Sequence, residues 1–316
     1  MTDPTIVTVT LNPALDMTVR LDSLVPGEVN LARDGHLRPA GKGVNVAMVL
    51  RDLGLPVSVT GILGRDNSAA YQALFKQMSM VNHFLEEPGA TRINVKLSEQ
   101  DGRVTDINLP GLSVSGATWE QLRATLVALC DHADTFVLSG SLPRGLATDS
   151  YAQLIRLLKE RGKRVLVDTS GPALEAAVDA GPDLIKPNLD ELVQWAGRPL
   201  PEAIDRDQAV AEIMARGVRC VVLSEGRRGL CWYDDRGAWQ VSPPSVEVVS
   251  TVGAGDSLLA GIAYGLALGL PQDELLRLAT AVAAMAVNQI GVGITDWRQL
   301  EQFKQQVSLT PKAFSR

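Results

Sequence analysis

The sequence predicts an α/β protein of three layers, α/β/α, with a mostly parallel central sheet and a small antiparallel β-sheet set apart as a lid. Three observations predict it. From Thr118 to Leu309 helical and strand-like segments alternate, the βαβα rhythm of a parallel sheet covered on both faces. Hydrophobic residues make up 46% of the 316 residues and aromatics only 4%, so the core must be built from Leu, Val, Ala and Ile. Two other segments, 17–38 and 91–110, alternate apolar and polar residues, as strands with one solvated face do.

In chain order, Ile6 to Leu11 reads as a first buried strand ending in the polar turn Asn12-Pro13-Ala14-Leu15-Asp16. Such turns are where α/β proteins place ligands. Asp16 could accept hydrogen bonds from a hydroxylated ligand, or it could stabilise the turn. Met17, Val19, Leu21, Val29 and Leu31 then supply the first alternating segment. Ile93, Val95, Leu97, Val104, Ile107 and Leu109 supply the second, around a hairpin turn at Asp101-Gly102. Paired in space, the two would form a small sheet able to cover a ligand. Between them, Ala40-Gly41-Lys42-Gly43-Val44-Asn45 opens a helix that ends before Gly54. Lys42 and Asn45 are suited to phosphate and hydroxyls at that helix start; a solvated lysine in a loop has the same local signature.

Helices are expected over 118–132, 149–161 and 205–216, and strands over Thr135 to Ser139, Arg164 to Val167, Leu184 to Ile185 and Cys220 to Ser224. Polar turns follow these strands at 139–143, 168–170, 186–191 and 224–229. In a parallel sheet they share one edge, so Asp16, Lys42, Ser139, Asn188, Ser224 and Asp256 can converge. The tail after Leu309 reads as frayed.

The stretch from Val249 to Gly261 reads as a strand (Val246, Val248, Val249), a small-residue turn (Gly253-Ala254-Gly255) and a helix running to Leu268. Free backbone N–H groups and the helix dipole make such a start an anion cradle, with Asp256 in the first turn. An ordinary glycine turn capped by Asp256 has the same sequence signature. The stretch is not a Walker A loop, since no Gly-Lys-Ser/Thr follows, nor a dinucleotide fingerprint, since Leu258 takes the third small position.

The net charge of −6 with mixed signs argues against nucleic acid or an anionic membrane as partner. The start, Met1-Thr2-Asp3-Pro4, has neither the basic nor the apolar region of a signal peptide. The apolar run 278–287 is too short to span a bilayer. Cys130, Cys220 and Cys231 are scattered, and His36, His83 and His132 lack ligand spacing, so a structural zinc is not expected and the cytoplasm is the expected compartment.

Taken together, Gly41-Lys42-Gly43-Val44-Asn45-Val46-Ala47, Thr91-Arg92-Ile93-Asn94, Ser139-Gly140-Ser141-Leu142-Pro143, Lys186-Pro187-Asn188-x-x-Glu191 and Ser250-Thr251-Val252-Gly253-Ala254-Gly255-Asp256-Ser257 resemble the ribokinase-like sugar kinases, also called the PfkB family. The resemblance covers the chain from Thr10-Leu11-Asn12-Pro13 to Gly291-Val292-Gly293-Ile294-Thr295-Asp296. It implies a kinase core of residues 1–16, 39–90 and 111–310, a small β lid of 17–38 and 91–110, and a tail of 311–316; the outer face of the small sheet would otherwise be exposed, so a homodimer through it is expected. Segments 27–30, 40–43, 92–97 and 243–246 are most similar to members acting on fructose 1-phosphate. The implied reaction is ATP-dependent phosphorylation of its 6-hydroxyl to fructose 1,6-bisphosphate. Tagatose 6-phosphate and fructose 6-phosphate are the alternative acceptors, and a sugar-phosphate-binding regulator is the alternative outside catalysis.

By matching position, the resemblance makes Asp256 the base and gives the amides of Gly253, Ala254 and Gly255 the charge on the transferred group. An ordinary carboxylate, with a pKa of about 4, is a weak base, so the base would act late in a step governed by positioning. Asp16 would bind sugar hydroxyls, with Gly41 allowing close approach. Lys42, Asn45 and a forked Arg92 would hold the substrate's phosphate, with Ser139 near the same end. Lys186, Asn188, Ser224, Gly226, Gly229, Thr251 and Asn288 would serve the nucleotide, and Glu191 would act on Mg²⁺ through water. A monovalent cation such as K⁺ near the 248–252 loop is a further family habit. Arg144, Glu225, Arg227 and Arg228 depart from the family pattern; Arg144 could add a phosphate contact or be solvated.

Overall fold

The computed structural model describes residues 5–314, so the reading of Met1 to Pro4 lies outside the described residues. The chain runs β1 (Ile6–Thr10), β2 (Ala14–Leu21), β3 (Asp34–Ala40), α1 (Lys42–Asp52), β4 (Val57–Gly64), α2 (Ala69–Gln77), β5 (Val81–Asn82), β6 (Leu85–Glu87), β7 (Ile93–Glu99) and β8 (Val104–Asn108). It continues with α3 (Gly116–Leu129), β9 (Thr135–Ser139), α4 (Ser150–Lys159), β10 (Arg164–Asp168), α5 (Pro172–Asp179), β11 (Leu184–Ile185), α6 (Leu189–Ala196), α7 (Ala203–Ala215) and β12 (Cys220–Ser224). The last elements are β13 (Leu230–Asp234), β14 (Gly237–Ser242), α8 (Ala254–Leu268), α9 (Gln272–Val287), α10 (Trp297–Gln306) and β15 (Ser308–Lys312).

The main sheet has the order β15-β14-β13-β12-β11-β10-β9-β1-β4-β5, with β6 also pairing β4. It is parallel from β12 to β5 and antiparallel from β12 to β15. The central strands carry continuous apolar runs because both faces are covered. Their period of two sends Ile6, Val137 and Leu166 into one core, and Val7, Val9, Phe136, Leu138, Val165 and Val167 into the other. The first core is closed by α1, α2, α8, α9 and α10, and the second by α3, α4, α5, α6 and α7. Cys130, Cys220 and Cys231 are free and buried, filling core space. Among the described residues, no helix is long and apolar enough to cross a membrane.

After β1 the chain reaches β4 on one side of it, and later returns to β9 on the other. That reversal is a topological switch point, and ligands bind at the carboxyl edge there. The small sheet has the order β3-β2-β7-β8. Its outer pairs are antiparallel, whereas β2 and β7 run parallel. Its β2–β3 half begins at Ala14 and ends at Ala40, past 17–38 at both ends, and its β7–β8 half lies within 91–110.

Two expectations fail. The approach at 243–250 is extended loop and not strand. Pro243 and Pro244 supply no ladder donors, and Val248 and Val249 are solvated. The chain end is not frayed through 308–312: β15 pairs along the whole of β14, and Lys312 bonds Asp207 and the Tyr233 hydroxyl. Those partners are remote in sequence, so Ser-Leu-Thr-Pro-Lys gave no local signal.

Helix α8 packs along α9, where Leu259 and Ile262 are fully buried, each contributing about 1.5–3 kcal/mol. Gly261 makes that approach possible, since a Cβ there would lie 2.5 Å from the Ala279 Cα. Gly261→Ala is therefore expected to lower unfolding free energy by about 1–3 kcal/mol through overpacking, as read by denaturant titration. A neutral change would show that the two helices can separate freely.

Candidate active site

A cavity of about 440 Å³ opens at the carboxyl edge, of a size that takes small-molecule ligands. It is lined by Asp16, Gly41, Lys42, Asn45, Arg92, Lys186, Asn188, Glu191, Ser224, Gly253, Gly255 and Asp256 from the sequence-based set, and also by Asn94 and Asp168. Asp16 and Asn94 come from β2 and β7 of the small sheet, so that sheet forms one wall.

The floor is the start of α8. Gly253 sits in the left-handed region at φ 78°, and a Cβ there would collide with Val292 Cγ1 at 2.2 Å. This turn directs the first helical amides outward. Those of Gly255 and Asp256 have no upstream helical acceptor, and no side chain caps them. The Ala254 amide instead turns toward the Thr251 carbonyl at 3.5 Å, so its assignment to the transferred charge is weakened.

Asp256 is 7% exposed, and its Oδ2 accepts from Asn45 Nδ2 at 2.7 Å. Burial, and then the neighbouring Asp168, push its pKa up to about 6. This corrects the expectation of an ordinary weak carboxylate. Asp168 accepts from Lys42 Nζ and pairs with Lys186 Nζ, each at 3.0 Å. Burial opposes its charge, but Lys186 and then Lys42 bring its pKa below the usual value. The Lys42 ammonium, in turn, is disfavoured by burial but raised overall by Asp168.

On the opposite wall Asp16 accepts from Asn94 Nδ2 at 3.1 Å, and burial raises its carboxyl pKa. Arg92 is fixed by the main chain of the turn between β1 and β2: Nε donates to the Pro13 carbonyl at 3.3 Å and Nη2 to the Asn12 carbonyl at 3.1 Å. Part of the expected phosphate fork is therefore already engaged. Asn188 and Glu191 form a reciprocal capping box on α6, with Asn188 Oδ1 accepting from the Glu191 amide at 2.8 Å and Glu191 Oε2 accepting from the Asn188 amide at 2.9 Å. Glu191 Oε1 is not used in that box.

Several expected residues do not line the cavity. Ser139 is fully buried at the end of β9, with its hydroxyl unpaired. Gly226 and Gly229 shape the turn before β13, where a Gly229 Cβ would meet the Val241 carbonyl at 2.0 Å. Thr251 is solvated. The Asn288 amide donates to the Glu247 carbonyl at 3.0 Å and accepts from Gln299 at 3.1 Å, tying the loop before α8 to the end of α9. Arg144 donates to the Gly111 carbonyl at 3.3 Å. Sequence reasoning assigned no role to Asp168 or Asn94, although Asp168 opens one of the carboxyl-edge turns. Among the described residues, no three His, Cys, Asp or Glu side chains are grouped to hold a metal ion.

The family model for pfkB family carbohydrate kinases matches residues 9–299. The chain is 47% identical over 305 residues to a Vibrio cholerae 1-phosphofructokinase, covering 96% of both chains. It is 44% identical over 306 residues to the 1-phosphofructokinase of Escherichia coli K12, covering 97% of this chain and 98% of that one. Among solved structures, Escherichia coli phosphofructokinase-2 in complex with potassium superposes with a TM-score of 0.90 at 29% identity, covering 96% of this chain and 98% of that one. The switch-point cavity, the glycine-built nest beside Asp256 and these matches along nearly the whole length agree, and the chain belongs to the pfkB family of carbohydrate kinases.

Proposed function

We propose that this chain is an ATP-dependent kinase that phosphorylates D-fructose 1-phosphate at its 6-hydroxyl, giving D-fructose 1,6-bisphosphate. The observation that carries this reading is the placement of the Asp256 carboxylate beside the free amides of Gly255 and Asp256, in the same cavity as Arg92, Lys42 and Asp16. The acceptor is favoured by the 47% and 44% identical relatives, both 1-phosphofructokinases. Fructose 6-phosphate is the second reading, resting on the structural likeness to a phosphofructokinase-2 at 29% identity.

In this reading Asp16 and Asn94 bind sugar hydroxyls, while Lys42 and Arg92 hold the existing phosphate; Asn45, bonded to Asp256 at the opposite end of the sugar, leaves that set. Lys186, Asn188 and Ser224 border the nucleotide. The acceptor oxygen forms a bond to the γ-phosphorus, the bond from that phosphorus to the bridging oxygen of ADP breaks, and Asp256 receives the hydroxyl proton. The hydrogen bond from Asn45 aims the carboxylate, and the nest amides hold the charge on the moving group. The donor set fits Mg²⁺, which takes one or two carboxylates together with substrate phosphates and water; Glu191 would hold it through water. When bound, it supplies charge neutralisation between nucleotide phosphates. A monovalent cation near 248–252 belongs to the same proposal, supported by the potassium complex of the Escherichia coli neighbour. Val29 and Leu31 lie in the loop between β2 and β3 and not in the strand expected of 17–38; exposed at 91% and 85%, they and Val104 and Ile107 of β8 support a homodimer through this side of the molecule. A cytoplasmic setting follows from such an activity.

Steady-state kcat/KM on fructose 1-phosphate, fructose 6-phosphate and tagatose 6-phosphate tests the acceptor. The first should lead by at least about tenfold, and a lead by either of the others would reassign it. A second expectation concerns pH. Asp256 must be ionised to take a proton, and its pKa is raised to about 6. Turnover should therefore fall as pH drops through about 6 and level off above it. The sugar phosphate itself titrates near pH 6, so the limb must be absent from the residual activity of Asp256→Asn. A limb near 4 would mean that burial does not perturb this acid.

A further inference from the structure

Asp168 is a buried carboxylate that the chemistry just described leaves without a task. It ends β10 and is 2% exposed. Its main chain is pinned by the Gly140 amide, which donates to the Asp168 carbonyl at 2.9 Å. Its Oδ1 meets Lys42 Nζ and its Oδ2 meets Lys186 Nζ, both at 3.0 Å. The two ammoniums belong to different halves of the cavity. Lys42 opens α1, beside Gly41 and one turn before Asn45. Lys186 follows β11 and stands against the nest, where a Cβ on Gly255 would lie 3.3 Å from its Nζ.

We propose that Asp168 is a positioning residue whose two carboxylate oxygens hold Lys42 on the acceptor side and Lys186 beside the nest at one fixed spacing. The two phosphate-bearing ligands then meet cations that are already placed. The inference rests on the kinase reading and deepens it. Without the carboxylate, two like charges would face each other in a poorly hydrated site, since the Lys186 side chain is only 6% exposed. The neighbouring carboxylate available to them is Asp256, which already feels Asp168, Lys42 and Lys186. Both lysines would be drawn toward the base and away from the phosphates. The strut thus sets cation spacing and also keeps the base free of ion pairing. A lysine displaced by about 1 Å is enough to cost roughly 10²-fold in rate.

The test is a mutant cycle on kcat/KM for fructose 1-phosphate at saturating Mg-ATP, with thermal melts confirming the fold. Asp168→Asn should lose about 10²-fold. In a Lys42→Met/Lys186→Met background the same change should cost less than about threefold, because a residue acting through others is non-additive with them. Fully multiplicative losses would overturn the proposal. So would recovery of Asp168→Asn by raised Mg²⁺, which would make Asp168 a metal contact. Should Asp168→Asn fail to fold, Asp168→Glu keeps the charge but shifts both lysines. Several-fold lower turnover with retained folding is expected there, and unchanged turnover would overturn the proposal. The wild type separates the two ideas: an inactive wild type sinks the kinase reading, whereas an active one with multiplicative losses sinks only the strut.

Discussion

The hydrogen bond from Asn45 to Asp256 spans 211 positions of sequence and joins the first turns of α1 and α8 over one cavity. The rest of the site depends on that junction. It forms because both helices start at the carboxyl edge of the sheet and pack in the same core layer. Each start needs glycine: Gly43 lets α1 lie against β1, where a Cβ would fall 2.4 Å from the Thr10 hydroxyl, and Gly253 turns the chain into α8 against Val292. A side chain at either place would push apart the two groups that the chemistry requires together.

Electrostatics then sorts the carboxylates. Asp168 and Asp256 are both buried, yet they are driven in opposite directions. Asp168 has two ammoniums in contact and stays ionised. Asp256 has burial, the negative Asp168 and a neutral amide partner, and its proton affinity rises to about that of a useful base at neutral pH. Asn188 and Glu191 instead spend polar groups on each other as a reciprocal cap, which fixes the geometry at the start of α6.

Much of this was legible in the sequence, and the failures have physical causes. β9, β11 and β12 are plain in the apolar runs 135–139, 184–185 and 220–224 because central parallel strands are buried on both faces. The valines at 246, 248 and 249 have the composition of a strand, but Val248 and Val249 are exposed, and composition does not report a missing partner. β15 exists only through its pairing with β14, which no local pattern encodes. In the site, Lys42 and Asp256 were readable only through the motifs 41–47 and 250–257 taken together, since each turn alone has an ordinary reading; the structure brings both to one cavity. Ser139 sat in the right turn, but its hydroxyl points into the interior. Asp168 went unassigned because one carboxylate in a turn becomes a junction only when Lys42 and Lys186 arrive from elsewhere in the fold.

In the proposed reaction Asp256 receives the acceptor's proton next to amides that hold the moving phosphoryl group. The most direct measurement is turnover of Asp256→Asn beside its calorimetric affinities for ATP and fructose 1-phosphate. A fall in kcat of about 10² or more is expected, with both affinities within a few-fold of wild type. Near-normal turnover, or a loss explained wholly by weakened binding, would contradict it.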